Sequence, residues 1–257
     1  MIHLKVPTSF GQCTGRQLEF LSRLLLLDLP AADIKVRCFL EFTGLALIKS
    51  NPMPVDGKLC YHFRHKIHGR FVLDTDRFAD MISRLAWIDQ PVTHFELPNK
   101  NGRARACNSR LYGLQLDAWL MLDLLYGQYA SSKESELLSQ MLAVVYTRPG
   151  ELFEEGEHIA ARARRFKGVA PWKKHLVFMW YTAVKLWLMH KYFYVFAGSG
   201  SDADTPVDEM IMGLISSLNE GNVANNQVIK TTDVHEVLFE LNRKIEYSKS
   251  LKSKTTK

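Results

Sequence analysis

The sequence predicts a mainly α fold, with a single helical domain that carries a small β-hairpin insertion. Apolar residues recur at helical spacing through most of the chain, and capping signals precede several of these stretches. Sustained period-two alternation is confined to the region of residues 57–110. We therefore expect a helical domain over residues 1–247, with the β-insertion at about 57–110, and a basic, disordered tail over residues 248–257.

The composition is that of a globular protein with an excess of positive charge. The chain has 257 residues, of which 47% are hydrophobic and 23% are charged, so it can bury a sizeable core. The terminal "KSLKSKTTK" holds much of the net charge of +6, with further basic residues in "NKNGRARACNSR" and "ARARRFKGVAPWKK". Such stretches are typical of solvated surface, and attraction to nucleic acid or an anionic surface is the alternative. No RRM, KH or zinc-finger signature accompanies them.

The cysteines and the N-terminus indicate a reducing environment. The four cysteines lie far apart and form no CxxC pair: Cys13, Cys38, Cys60 and Cys107. The opening "MIHLKVPTSF" contains Lys5 and Pro7 and lacks the pattern of a signal peptide. We therefore expect a cytosolic protein with free thiols.

The first half of the chain is predicted to contain three helices and the β-insertion. "IHLKV" alternates and predicts a short opening strand. Thr14 followed by Gln17 forms a capping box for the first helix, and "AADIKVRCFLEFTGL" predicts the second. "KLCYHFRHKIHGRFVLD" alternates between turns at Asp56-Gly57 and His68-Gly69, which predicts a hairpin. "DTDRFADMISRLAWID" predicts the third helix.

The second half is predicted to be helical almost to its end. Three helices are expected over "LYGLQLDAWLMLDLLYGQYA", "SSKESELLSQMLAVVY" and "GEHIAARARRF". Pro171 begins the next helix, which contains the long apolar run "VFMWYTAVKLWLMHKYFYVF". Thr205 and Pro206 begin a helix over "VDEMIMGLISSLN", and Asp233 caps the last one.

The apolar run at residues 177–196 is long enough to raise the question of a membrane span. A spanning helix needs about 20 residues with few or no charges. Lys185 lies near its middle, where a charge costs roughly 2.5–3.5 kcal/mol. His190 and Lys191 follow and face other directions, so one polar cavity cannot shelter all three. We therefore expect a buried core helix and no membrane span, and a membrane or interfacial helix is the alternative.

Three aromatic residues on this predicted helix are the candidate binding residues. Trp180, Trp187 and Tyr194 recur every seven residues. Packing within the core is the first interpretation of this spacing. The alternative is the wall of a groove that binds a partner helix, because aromatic side chains carry binding energy when they fill pockets.

No stretch of the sequence predicts a catalytic, cofactor or metal site. "HFRHKIH" is rich in histidine, but strand patterning places His62 and His68 on one face and His65 on the other. "GEHIAARARRF" contains no HExxH pattern, and "GSGSDADT" lacks the lysine of a phosphate-binding loop. We therefore expect a protein that is not an enzyme and that needs no metal or cofactor.

Several stretches resemble helical proteins from the tail-morphogenesis modules of Bacteroidetes phages and prophages. "VPTSFGQCTGRQLEFLSRLLL" is similar to their opening turn and first helix, although Phe10 stands where a Trp is common. "LLSQMLAVVYTRPGE" is similar to their leucine-rich helix with a Tyr-x-Arg-Pro ending. "LISSLNEGNVANNQVIKTTDVHEVLFELN" is similar to their Leu-Asn-x-Gly turn and final helix.

The resemblance implies a non-enzymatic phage assembly factor or minor structural protein that acts through protein–protein contacts. One such role is that of a tail assembly chaperone that binds a helical tail component in the host cytoplasm during virion morphogenesis. The implied partner is another phage structural or assembly protein; homo-oligomer formation and association with the virion are left open. Two alternatives remain, a basic nucleic-acid-binding or regulatory module and a peripheral membrane protein that uses helix 177–196.

Overall fold

The protein has a mixed α/β fold. The computed structural model describes residues 4–151, 153, 157–197, 213, 216 and 225–255. The chain divides into two compact units, the first formed by Met1–Glu96 with Pro171–Leu176 and the second by Leu97–Ala170 with Val177–Lys257. Within the described part, 59% is helical and 13% is strand, in antiparallel sheets of four and three strands. The prediction of a mainly α fold with one small β-hairpin is therefore wrong.

Most of the described strands are too short for the sequence to reveal them. Five of them contain only two or three residues, and alternation becomes a signal only over about four residues or more. Three of these short strands also lie outside the predicted insertion at 57–110: Leu45–Leu47, Met53–Val55 and Tyr146–Thr147. Leu45–Leu47 and Tyr146–Thr147 pair with strands that are distant in the sequence, which no local pattern reveals.

Three helices of the first unit begin and end at recognisable signals. They are α1 (Gly15–Leu25), α2 (Ala31–Thr43) and α3 (Thr75–Ser83). The predicted capping box is confirmed, because the Gln17 N–H donates to the Thr14 hydroxyl and the Thr14 N–H donates to the Gln17 side chain. Gly44 ends α2 in the left-handed conformation at φ +68°, which glycine adopts without a Cβ clash. The described residues of the predicted opening strand, residues 4–6, form no strand.

The four-stranded sheet of the first unit is built around its longest strand. Its members are β1 (Leu45–Leu47), β2 (Met53–Val55), β3 (Lys58–His65) and β4 (Gly69–Asp74). β3 pairs antiparallel with β1 and β2 along one edge and with β4 along the other. Asp56 and Gly57 connect β2 to β3 with φ of 48° and 78°, as the favoured Asp-Gly hairpin turn requires. The predicted turn at this position is confirmed.

An aromatic cluster forms the core between this sheet and its helices. Phe63 from β3 is fully buried, and its ring centroid lies 5.6 Å from that of Phe78 on α3. Phe39 from α2 packs 5.5 Å from the same Phe78 ring. The alternation of β3 therefore buries Phe63 against α2 and α3 and leaves Arg64 exposed on the other face.

The second unit contains the remaining described helices and the three-stranded sheet. The helices are α4 (Leu116–Ser132), α5 (Ser135–Val145), α6 (Glu157–Ala163), α7 (Pro171–Lys191, in this unit from Val177), α8 (Phe193–Phe196), α9 (Asn226–Thr231) and α10 (Val234–Thr255). The strands are β5 (Lys100–Asn101), β6 (Ala104–Ala106) and β7 (Tyr146–Thr147), all antiparallel. The helix predicted after Pro206 lies outside the described residues, apart from positions 213 and 216.

Helix α10 continues further than the sequence analysis expected. It reaches Thr255, so it includes most of the segment 248–257 for which disorder was predicted. Ser250 at this end donates a hydrogen bond from its hydroxyl to the Tyr247 carbonyl at 2.7 Å.

Helix α7 contains most of the apolar run that raised the membrane question. Leu176, Trp180, Tyr181, Val184 and Leu188 are buried along it. The run does not continue as one helix, because α7 ends at Lys191 and α8 begins at Phe193. Within the described residues, no helix is both long and apolar enough to cross a membrane.

Candidate functional site

A groove of about 780 Å³ opens on the first unit between α1, α2, β1 and the end of β3. Its floor is apolar and consists of Phe20, Leu40, Phe42 and Leu45. Leu45 is buried, and the other three side chains are half-buried. The volume falls within the range of about 300–1,000 Å³ that is typical of ligand-binding sites.

The rim of the groove is strongly basic. Four cations line it, Arg16, Arg37, Arg64 and Lys66, against the single carboxylate of Glu41. The Arg16 guanidinium lies 3.0 Å from the Glu41 carboxylate, with the Arg16 side chain 86% exposed. In the part of the chain that the structure describes, Arg37, Arg64 and Lys66 form no ion pair. The groove therefore carries three cations that no carboxylate of the described chain neutralises.

The sheet adds a fourth uncompensated cation next to the groove. Arg64 on β3 lies directly opposite Arg70 on β4, and Ala46 of β1 lies opposite Arg64 on the other side. Both arginines are exposed. Like charges in directly opposite positions destabilise an antiparallel pair. A row of arginines on the open face of the sheet is unfavourable for the sheet itself, and an anion bound above the row would relieve the repulsion.

Local structure fixes the walls of the groove. The capping box of Thr14 and Gln17 sets where α1 begins, which places Arg16 and Phe20 on the groove side. Gly44 turns the chain from α2 directly into β1, so that Arg37 and the β1 backbone border the same space. Any L-amino acid in place of Gly44 would be strained by the positive φ, whatever space its side chain had.

The histidine tract at the end of β3 does not form a metal site. The rings of His65 and His68 stack with their centroids 4.7 Å apart, because the turn after β3 brings them together. Sequence patterning had placed these two on opposite faces. The Nδ1 atom of His65 accepts the backbone N–H groups of Ile67 and His68 at 3.1 and 3.2 Å. Among the described residues, no three His, Cys, Asp or Glu side chains could together hold a metal ion.

The cysteines are poor candidates for nucleophiles. Burial raises the pKa of the Cys13, Cys38 and Cys107 thiols to about 12. Because the thiolate is the nucleophilic form, these thiols are inert at neutral pH. All four cysteines of the chain are free.

The aromatic residues that were predicted to bind a partner lie in the second unit and do not line one surface. Trp180 is fully buried and donates its indole N–H to the Ser109 carbonyl at 3.2 Å. Trp187 is half-exposed and packs with its edge against Tyr112. Tyr194 is also half-exposed and lies near Lys249 of α10. Partner binding by Trp187 and Tyr194 stays a prediction, whereas Trp180 belongs to the core.

Trp187 is part of an aromatic cluster that contacts an exposed lysine, Lys191. The Lys191 Nζ atom lies 4.8–5.0 Å from the ring centroids of Tyr112, Trp187 and Tyr192 and donates to the Tyr112 hydroxyl at 3.0 Å. Burial alone would lower the pKa of Lys191, but hydrogen bonds to Tyr112 and Tyr192 raise it above its usual value. This lysine therefore stays protonated and is unsuited to nucleophilic chemistry.

His235 connects this cluster to α10 and is held in its neutral form. Its Nδ1 atom lies 2.8 Å from the Tyr192 hydroxyl, and its Nε2 atom lies 2.7 Å from the Arg110 carbonyl. The carbonyl can only accept, so Nε2 carries the proton and Nδ1 accepts from Tyr192. Burial lowers the pKa of His235, and the positive charge of Lys191 lowers it further, against the raising effect of Asp233 and the Arg110 carbonyl.

We expect the stability of the protein to fall as the pH drops below about 6.5 because of His235. In that range the unfolded chain takes up the histidine proton before the folded chain does, since the folded pKa is lowered. The loss of stability with falling pH ends once the pH is below the lowered pKa that His235 has in the folded protein. Replacing His235 by Gln should flatten this part of the pH profile of the free energy of unfolding, measured by urea denaturation. His190→Gln, at an exposed position, is the control; a profile that flattens in the control and not in His235→Gln would contradict the assignment.

Sequence reasoning missed the groove because its residues come from four elements. Arg16 belongs to α1, Arg37 to α2, and Arg64 and Lys66 to β3 and the turn after it. The period-two placement of Arg64 and Lys66 was visible in the sequence, but nothing local connected these residues to Arg16 or Arg37. The basic stretches that the sequence analysis singled out were instead the dense ones near residues 99–110 and 161–174.

No known protein family, curated protein or solved structure matches the chain. The resemblance to phage tail-morphogenesis proteins stays a prediction.

Proposed function

We propose that the protein is a non-enzymatic binding protein whose groove in the first unit recognises an acidic segment of another protein. The observation that carries this proposal is the set of three unneutralised cations, Arg37, Arg64 and Lys66, above an apolar floor. A ligand that fits must supply negative charge at the rim and apolar groups at the floor. A polypeptide segment with both acidic and apolar side chains meets these two requirements together.

Electrostatics favours an anionic ligand. Free cations at the rim raise the local concentration of an anionic partner and speed its association, and the effect weakens with salt. Each acidic group that reaches an unpaired guanidinium forms a charge-assisted hydrogen bond, which is about twice as strong as a neutral one. The repulsion between Arg64 and Arg70 also falls when an anion lies between them.

The groove suits a polypeptide better than a nucleic acid. Phe20 and Phe42 are half-buried in the floor, whereas single-stranded nucleic acids bind on exposed aromatic rings that stack with successive bases. The apolar side chains of the floor cannot form hydrogen bonds or ion pairs with a continuous row of phosphates. Nucleic-acid binding is therefore an alternative outcome of the test.

This proposal retains the predicted mode of action and changes the surface that performs it. Protein–protein contact was predicted at Trp187 and Tyr194 of the second unit, and the groove of the first unit now offers the better-defined site. That the partner is a phage tail component rests on the sequence resemblance and stays a prediction.

A binding assay with charge-reversal variants tests the proposal. We expect a fluorescein-labelled acidic peptide that also contains apolar residues to raise its anisotropy with the native chain. Arg64→Glu and Arg37→Glu should each weaken binding about tenfold or more, because each removes an attraction and adds a repulsion. Arg103→Glu makes the same change in net charge at an exposed turn of the second unit and is the matched control.

Three outcomes would contradict the proposal. One is an equal loss of affinity in all three variants, which would show attraction to the overall charge rather than to the groove. The second is preferential binding of a single-stranded oligonucleotide of the same charge, which would favour the nucleic-acid interpretation. The third is the absence of any binding of the peptide by the native chain.

A further inference from the structure

The outer edge of β1 is open in the described part of the chain and borders the groove. β1 pairs with β3 alone and lies at the end of its sheet. Gly44, Leu45 and Ala46 line the groove. An end strand presents unpaired backbone N–H and C=O groups that a further strand can use.

The hydrogen-bond pattern shows which backbone groups face the open edge. The Ile48 N–H donates to the His62 carbonyl at 2.8 Å, which makes positions 48 and 62 a hydrogen-bonded pair. Hydrogen-bonded and non-hydrogen-bonded pairs alternate in an antiparallel ladder. Ala46 and Arg64 are therefore a hydrogen-bonded pair, whereas Leu45 and Leu47 direct their N–H and C=O groups away from β3. Two donors and two acceptors thus point toward the open edge.

The side chains on the two sides of this edge have opposite character. Arg64 and Arg70 lie on the same face of the sheet as Ala46, because they are its neighbours across the strands. Leu45 points to the other face, where it is buried, and the half-buried Leu40 and Phe42 of α2 also line the groove. A strand added to β1 would alternate between the arginine row and this apolar side.

We propose that the acidic segment binds as an additional β-strand along the outer edge of β1. Its residues alternate, with acidic side chains on the face of the sheet that carries Arg64 and apolar side chains toward Leu40 and Phe42. The inference rests on the proposed function and adds the conformation and the sequence pattern of the ligand. Backbone hydrogen bonds to Leu45 and Leu47 supply affinity, and the alternating side chains supply specificity.

Because β1 is short, we expect the ligand to bind through contacts with the arginines in addition to backbone hydrogen bonds with β1. A three-residue end strand offers few hydrogen bonds, which protects the protein against indiscriminate strand pairing. The arginine row repels basic segments and attracts acidic ones, so it selects among strands that could otherwise pair.

Peptides with blocked backbone groups test the strand geometry on the full-length protein. The probe is a short labelled peptide in which glutamate and valine alternate, and its control has the same composition with glutamates and valines in separate blocks. N-methylation is introduced at all valines in one variant and at all glutamates in another. We expect the alternating peptide to bind more tightly than the block peptide, and one N-methylated set to lose about tenfold or more in affinity while the other keeps it.

The identity of the sensitive set gives the strand direction. Antiparallel pairing places the hydrogen-bonded N–H groups at the residues opposite Leu45 and Leu47, which are the valines, whereas parallel pairing places them at the glutamates. Equal affinity, or equal loss, in the two N-methylated sets would overturn the strand model. If Arg64→Glu still weakened binding in that case, the acidic ligand would stand without the strand. Failure of every acidic peptide to bind would overturn the proposed function as well.

Discussion

Replacing Trp180 by Ala is expected to lower the free energy of unfolding by about 3–5 kcal/mol. The indole is fully buried on α7 and packs 6.2 Å from the ring of Tyr181. Its removal leaves a cavity, and it also leaves the Ser109 carbonyl without its donor. Urea denaturation followed by circular dichroism measures the loss.

Trp187→Ala provides the comparison on the same helix. Trp187 is half-exposed, and its contacts include the cations of Arg110 and Lys191 at 5.2 and 4.8 Å from its ring centroid. Cation–π contacts at such positions are worth about 0.5–1 kcal/mol each. We expect a clearly smaller loss than for Trp180→Ala. A loss in Trp180→Ala no greater than that in Trp187→Ala would contradict the core assignment.

Replacing Asp123 by Ala is expected to cost about 3 kcal/mol of stability. The Asp123 carboxylate accepts hydrogen bonds from Lys185 Nζ at 2.8 Å and from the Tyr181 hydroxyl at 2.9 Å. The side chains of Lys185 and Asp123 are 25% and 12% exposed, so removal of the carboxylate leaves a largely buried cation without its partner. Thermal or urea unfolding measures the effect.

A double-mutant cycle separates the ion pair from its surroundings. Lys185→Met keeps the apolar stem and removes the charge, so the double variant with Asp123→Ala should be more stable than Asp123→Ala alone. Asp80→Ala breaks the exposed pair with Arg84 on α3 and should cost no more than about 0.5 kcal/mol. Similar costs for Asp123→Ala and Asp80→Ala would show that burial does not matter for the Asp123–Lys185 pair.

The Asp123–Lys185 pair is an example of a contact that could not be predicted from the sequence. Lys185 within an apolar run predicted that this helix is not a membrane span, because the charge would be costly there. Its partner lies 62 residues earlier on another helix, and no local pattern connects the two. Periodicity showed which residues belong to a helix, whereas the pairing of distant residues depended on tertiary structure.

The fold predictions that were correct rested on local sequence signals, and the features that were missed depend on residues distant in the sequence. The capping box at Thr14 and the Asp56-Gly57 turn are local signals, and both were predicted. The pairing of β6 with β7, in which Arg105 lies opposite Thr147, was not predicted, because each strand is too short to show alternation. The groove was missed for a related reason, since Gly44 brings α2 and β1 together with residues from α1 and β3 that the sequence separates widely.

A map of backbone amide shifts tests the central claim most directly. An unlabelled acidic peptide is titrated into the isotopically labelled full-length protein, and amide chemical shifts are followed by NMR. We predict the largest changes at Arg37, along residues 44–47 and at Arg64, with none of comparable size at Trp187 or Tyr194. Changes concentrated at Trp187 and Tyr194, with the groove unaffected, would contradict the assignment of the binding site to the first unit.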